Sequence, residues 1–406
     1  VDLPLLVFTW VYAVMILGRM PGTRLDRTGA ALLGSIALVG GGALTSAAAW
    51  RCIDVGTLGL LFGLMLLSAQ FRLSGAYARL TRALAARPTT PSRLLLELVV
   101  TAGGLAALLT NDVVCVAMAP VLIDICVRRG LDPVPFLLGL AAAANVGSAA
   151  TLIGNPQNML LGQGLEMSFV GYLADGLVPA GLGLFVVWWL LRTAYHDRFW
   201  RALPPVAIGD EPFDGWQTSK GILLLAALVT GLLVLPWPHE VPALLAGGAV
   251  LLSRRHRTRT LLERVDWQLL LLFAGLFMVN GALQAAGHAS RGFAWLREQG
   301  LDADDPATLF LTAVVGSNVV SNVPLTMLLV PVVSHPLAGP ILALATTLAG
   351  NLLLVGSIAN LIVVEQATQL GVLPADRSWG REHWRTGVPI TLATLAIAAG
   401  WLWLRH

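Results

Sequence analysis

Amide and hydroxyl side chains recur inside the most apolar parts of this chain, and they recur in matching order. Thr110-Asn111-Asp112 is followed by Pro120, and Ser321-Asn322-Val323 is followed by Pro331. Each phrase precedes a second interruption with one shared spacing, Gly154 to Asn158 and Gly356 to Asn360. An asparagine offers one acceptor and two donors without a fixed charge, which suits a site that must fill and empty. Thr110, Asn111, Asn158, Ser321, Asn322 and Asn360 are therefore the expected solute-binding residues. Asp112, Asn145, Gly147, Ser148, Asn155, Asn318, Asn351 and Ser357 are the expected ion-coupling residues. Asp112 is the one carboxylate near either phrase, and acids inside a membrane usually mark ion paths. Its counterpart is Val323, so the two halves are not equivalent.

Each of these residues has a plainer reading. Asn111 and Asn322 can serve as helix caps. Asp112 can be a first-turn acid stabilised by the helix dipole. Pro156 removes a donor and clashes with the preceding turn, while Gly147 and Gly154 permit unusual backbone angles. Together they predict a broken helix whose freed carbonyls can hold Na⁺ or a solute; a simple kink would explain Pro156 alone. Asn280 and Gln284 stand one turn apart and read as helix-to-helix hydrogen bonding, with Gln284 the alternative cavity-lining residue. Arg93 with Glu97 and Asp124 with Arg128 read as boundary pairs. No Arg or Lys lies in these polar phrases, so an anion there would be held by helix dipoles, hydroxyls and amides.

The elements that carry these residues must lie in a membrane. Hydrophobic residues make up 56% of the 406 positions and charged ones 12%, against about 25% charged in a soluble domain. Mean hydropathy is +0.75. The first apolar segment, 3–17, lacks a preceding basic region and a small-residue cleavage site, and reads as a retained helix. Most apolar segments, among them 28–50, are long enough to cross once. The segment 94–127 has Arg72, Arg79, Arg82, Arg87 and Arg93 before it and Arg128 and Arg129 after it. The positive-inside rule puts both its ends in the cytoplasm. It therefore reads as a re-entrant hairpin, and 306–334 reads as a second one from the other side. The segments 134–163 and 338–370 read as broken crossings.

The expected fold is an all-α polytopic membrane protein. It is an inverted repeat of about five transmembrane helices plus one re-entrant hairpin each, with discontinuous helices at the midplane. Residues 1–199 form the first repeat and 220–406 the second, joined by a cytoplasmic linker over 200–219. Both termini are then external, and only Arg51, Arg291, Arg297 and Arg405 fall outside cytoplasmic loops. Paired interruptions at matching places in two halves point to a transporter's binding site.

Other classes find little support. Cys52, Cys115 and Cys126 are too scattered for a disulfide framework or a structural zinc site. The arginines sit between apolar segments, so the net charge of +3 does not indicate nucleic acid. There is no Gly-x-Ser-x-Gly, His-Glu-x-x-His or Walker loop, and no enzyme is expected. A passive channel is disfavoured because two opposed hairpins suggest gated access from each side.

At these residues the chain resembles the ion transporter superfamily of ArsB arsenite pumps, NhaD sodium/proton antiporters, citrate permeases and divalent-anion/sodium symporters. Asn111-Asp112 with Pro120 is similar to the arsenite-pump hairpin, and Ser321-Asn322-Val323-Pro324 to its second hairpin with Ser for the first Asn. The run Asn145-Val146-Gly147-Ser148 to Gly154-Asn155-Pro156-Gln157-Asn158 resembles a symporter stretch, with Gln157 for its second proline. The resemblance covers almost the whole chain. It implies a scaffold domain and a moving transport domain, the latter holding both hairpins and both broken crossings. It offers a homodimer and an accessory ATPase subunit as partners beside the lipid bilayer and the solute. The expected function is secondary active transport across a bacterial-type inner membrane. The cargo is a small anion, either arsenite- or oxyanion-like or a di- or tricarboxylate such as citrate, and coupling is to H⁺ or Na⁺. A Na⁺/H⁺ antiporter is the alternative, and no cofactor is expected beyond the coupling ion.

Overall fold

The computed structural model describes residues 2–86, 89–200, 212–372 and 378–406. Most of the linker, 201–211, thus lies outside the described residues. Those residues form α-helices and no strand, in two runs of like order. The first run is α1 (Leu3–Leu17), α2 (Arg27–Gly40), α3 (Ser46–Cys52), α4 (Val55–Leu73), α5 (Ala76–Ala86), α6 (Pro91–Leu108), α7 (Asn111–Arg128), α8 (Pro133–Ser148), α9 (Pro156–Gly164) and α10 (Phe169–Ala194). The second is α11 (Gly215–Val234), α12 (Glu240–Leu251), α13 (Thr258–Leu262), α14 (Trp267–Ala285), α15 (His288–Glu298), α16 (Pro306–Val320), α17 (Asn322–Leu329), α18 (Ala338–Ala349), α19 (Ile358–Gln369) and α20 (Trp379–Arg405). Six of these, α4, α6, α10, α11, α14 and α20, are long and apolar enough to cross a membrane.

Local chemistry sets the ends. Asp54 accepts a hydrogen bond from the Thr57 amide at the start of α4, and Asp266 does the same for Leu269 at the start of α14. A carboxylate there satisfies an orphan N–H and meets the positive end of the dipole. The stretch 28–50, expected as one crossing, is instead two helices. Gly40-Gly41-Gly42 ends α2, Gly42 lies at φ 76°, and Thr45 caps α3. Three consecutive glycines cost a helix too much entropy to continue.

Packing repeats as the order does. Helix α4 packs on α12 and α14 on α2; α6 packs on α8 and α16 on α18; α7 meets α19 and α17 meets α9. Helices α10 and α20 pack on each other. Glycines permit the closest crossings: a Cβ added to Gly63 would fall on the Ala243 backbone, and one added to Gly275 on Ala31. Small residues at such crossings bring helix backbones into van der Waals contact, the main source of association where solvent is as apolar as the side chains.

Candidate functional site

Each of the two segments expected as a hairpin is a pair of helices joined by a short turn. Helix α6 ends at Leu108 and α7 starts at Asn111; α16 ends at Val320 and α17 starts at Asn322. The second turn is made by Ser321, held at φ 78°, a left-handed conformation that is costly for a residue with a Cβ. The two ends of this second hairpin lie together, since the Ser334 amide and hydroxyl donate to Asp304 Oδ1 at 2.8 and 2.9 Å. The prolines of the two phrases have different places: Pro120 lies inside α7, whereas Pro331 follows the shorter α17. Asp112 stands one residue into α7, half-buried.

The capping reading of the tips is overturned. Neither Thr110 nor Ser321 makes a side-chain cap to the helix it precedes, and Asn111 and Asn322 are first helical residues. The kink reading of Pro156 fails as well. Helix α8 stops at Ser148, and Pro156 sits in the first turn of α9, where its missing N–H costs nothing. Asn155 caps α9 by accepting from the Asn158 amide at 2.9 Å, and Ser357 caps α19 by accepting from Ala359 at 3.2 Å.

Each tip rests in the gap of its own broken helix. The Asn111 amide donates to the Gly154 carbonyl at 3.1 Å. Asn318, one turn before the second tip, donates to the Ala349 carbonyl at 3.2 Å. Gly147 lets α8 reach α6, because a Cβ there would fall on the Gly103 backbone.

The two halves are joined through Asn145. Its Oδ1 accepts from Asn111 Nδ2 at 3.1 Å and from Ser357 Oγ at 2.8 Å. Its Nδ2 donates to Asn351 Oδ1 at 2.8 Å and to Asn360 Oδ1 at 3.5 Å. All four hydrogen-bonding sites of the amide are thereby used. A second node lies at Thr347, whose hydroxyl accepts from Asn155 at 3.1 Å and from Gln157 at 3.2 Å and donates to Asn158 at 3.3 Å. The nodes are counterparts. Asn145, on α8, grips the start of α19; Thr347, on α18, grips the start of α9. Ser148 joins by accepting from Asn155 at 3.0 Å.

The network therefore unites Asn111, Asn145, Ser148, Asn155, Asn158, Asn351, Ser357 and Asn360. Thr110, Asp112, Ser321 and Asn322 lie at the tips beside it, and Asn318 touches it through backbone. Gln284 is exposed, and Asn280 accepts from the Tyr12 hydroxyl at 3.0 Å, a helix-to-helix bond. The pairs Arg93–Glu97 and Asp124–Arg128 form as expected.

Sequence reasoning missed Thr347, Gln157, Tyr172 and His383. The Tyr172 hydroxyl donates to the Ala149 carbonyl at 2.7 Å and accepts from Asn158 at 3.3 Å. His383 Nε2 lies 2.9 Å from the Asn351 carbonyl. A signal existed for Thr347: the spacing from Gly154 to Gly356 and from Asn158 to Asn360 also carries Asn145 to Thr347. Tyr172 and His383 gave none.

Apart from the His383 imidazole, the network contains amides, hydroxyls and carbonyls and no Asp, Glu, Lys or Arg side chain. The side-chain oxygens of Asn111, Asn318 and Asn322 are shielded from solvent and accept no hydrogen bond. Among the described residues no group of three or more His, Cys, Asp or Glu side chains could hold a metal ion. Four helix N-termini, those of α7, α9, α17 and α19, begin in this region.

Comparisons with known proteins agree with this architecture. The sequence pattern described as citrate transporter matches residues 10–349. The chain is 31% identical to the inner membrane protein YbiR of Escherichia coli, over 82% of this chain and 83% of that one. It is 28% identical to the silicon efflux transporter LSI3 of Oryza sativa, over 96% and 94%. The solved structure of the YdaH transporter from Alcanivorax borkumensis superposes with a TM-score of 0.61 at 18% identity, covering 99% of this chain and 98% of that one.

Proposed function

Since the chain belongs to the citrate transporter family, a family of membrane transporters, we propose that it is a secondary active transporter of a small oxyacid or carboxylate anion, working by alternating access. The observation that carries this reading is the network of amides and hydroxyls centred on Asn145, which ties both hairpin-bearing halves at one point. Amides and hydroxyls bind a hydroxylated or anionic solute without the strong attraction that would trap it, and four helix N-termini favour negative charge nearby. The silicon efflux activity named for the rice relative favours the oxyacid class. Transport runs across the inner membrane, as the name of the relative YbiR suggests. The two runs of helices are opposed inverted repeats, and the hairpins and broken helices move together against α1, α2, α4, α11, α12 and α14.

We propose Na⁺ as the coupling ion. Three buried amide oxygens lack donors, and hard cations take oxygen ligands of this kind. Proton coupling through Asp112 is the second reading, favoured by its position beside the first tip.

A thermal-shift screen of the purified chain with silicate, arsenite, phosphate, citrate and succinate, each in NaCl or KCl, tests the proposal, because ligands stabilise what they bind. The expected result is stabilisation by one solute class that Na⁺ strengthens and K⁺ does not, lost in Asn318→Ala. Stabilisation by Na⁺ with no responding solute would shift the reading to Na⁺/H⁺ exchange. A Na⁺-independent response abolished by Asp112→Asn would assign coupling to protons.

A further inference from the structure

The Tyr12 hydroxyl on α1 has one proton to give and two acceptors within reach. It lies 3.0 Å from Asn280 Oδ1 on α14 and 3.1 Å from the Pro324 carbonyl on α17. Tyr12 and Asn280 are both buried, and among the described residues Asn280 Nδ2 has no hydrogen-bond partner. Helices α1 and α14 belong to the part proposed to stay fixed, and α17 to the part proposed to move. We propose that Tyr12 is a positioning residue for the second tip. Its hydroxyl catches Pro324 and holds the two parts in the arrangement seen here, while Asn280 weakens the catch by drawing on the same proton. The inference rests on the alternating-access reading above.

Three observations support this role. First, the bond reaches the tip itself. Pro324 lies in the first turn of α17, three residues past Ser321, whose φ of 78° is costly to hold. A carbonyl so near the turn moves when the turn moves, and a buried hydroxyl on a neighbouring helix fixes where it stops. Second, the ring and the hydroxyl do separate things. The ring packs on Phe8 with centroids 4.2 Å apart, which a phenylalanine would do as well. The hydroxyl adds only the polar contact between helices, and such contacts are strengthened where no water competes. Third, the contact is incompletely satisfied. One proton cannot serve two acceptors at full strength, and the buried Asn280 donor goes unpaired, which costs stability. A fully paired contact would lock the two parts together. One with this deficit can be left and regained in every cycle.

The test reads the motion away from Tyr12. Gly162 is buried on α9, where an added Cβ would stand 3.7 Å from His239 Nδ1 and 3.3 Å from the flexible end of Leu152. The next residue, Gln163, donates to Glu240 of α12 at 2.8 Å. A cysteine in place of Gly162 is therefore covered while α9 rests on α12 and uncovered when the moving part departs. In the full chain carrying Cys52→Ser and Gly162→Cys, reconstituted in lipid vesicles, peptide mass spectrometry follows the rate of maleimide labelling at this position. Tyr12→Phe should speed labelling roughly fivefold, the population change made by losing one hydrogen bond. Asn280→Leu, which leaves the proton to Pro324, should slow it, and decides the matter alone if Tyr12→Phe does not fold. Opposite effects of two adjoining substitutions on a separate interface mark a catch. Faster labelling in both marks simple loosening and overturns the proposal, as does an unchanged rate in a folded Tyr12→Phe variant. No labelling at this position with Tyr12 and Asn280 intact or in either variant would instead refute the moving bundle, and the catch with it.

Discussion

At the scale of single residues, Asn145 is the junction of the molecule. Each of its four hydrogen bonds ends on a buried polar partner, and a buried partner left unpaired costs about 1–3 kcal/mol. Asn145→Ala is expected to destabilise the protein by on the order of 3 kcal/mol, after discounting for partners that find each other. Chemical unfolding in detergent measures this, with Gln284→Ala as the control. That exposed side chain should change stability by no more than about 0.5 kcal/mol. Equal effects of the two variants would mean that the network contributes nothing special. Residue types at this scale were legible in the sequence, because asparagines and prolines stand out against apolar surroundings. Thr347 was legible only through its place opposite Asn145 in the repeated spacing, since a threonine inside a membrane helix commonly bonds its own preceding turn.

At the scale of elements, the broken helix α8–α9 depends on how closely α8 approaches the first hairpin. Gly147→Ala would place a methyl group on the Gly103 backbone, and backbone cannot rotate away. The variant should lose about 1–3 kcal/mol through overpacking. Gly104→Ala meets nothing within 4 Å and should be neutral or stabilising, by up to about 1 kcal/mol. A folded yield and unfolding midpoint for each variant decide between them. Similar behaviour of the pair would show that α6 and α8 can separate without cost. Element type and order were legible here, because glycine, proline and hydropathy report on the backbone locally. The split of the 28–50 stretch was also written in its glycines, but hydropathy alone hid it.

At the scale of the whole molecule, two runs of helices repeat one order and one packing pattern. If they are inverted, the outer ends of the two hairpins open on opposite membrane faces. Cysteines introduced at Arg128 and at Leu301, in a chain with Cys52→Ser, should then react with an impermeant maleimide from opposite sides of sealed vesicles. Labelling of both from one side would refute the inverted arrangement. By itself the sequence determined the membrane class, the paired interruptions and the kinds of side chain at them, because hydropathy and backbone breaks are properties of neighbouring residues. Only the tertiary structure decided that Asn145 meets Asn351, Ser357 and Asn360, and that Thr347 answers it from the other half. Those partners lie about two hundred residues apart, and such meetings depend on how two helix bundles interlock, which no local pattern encodes.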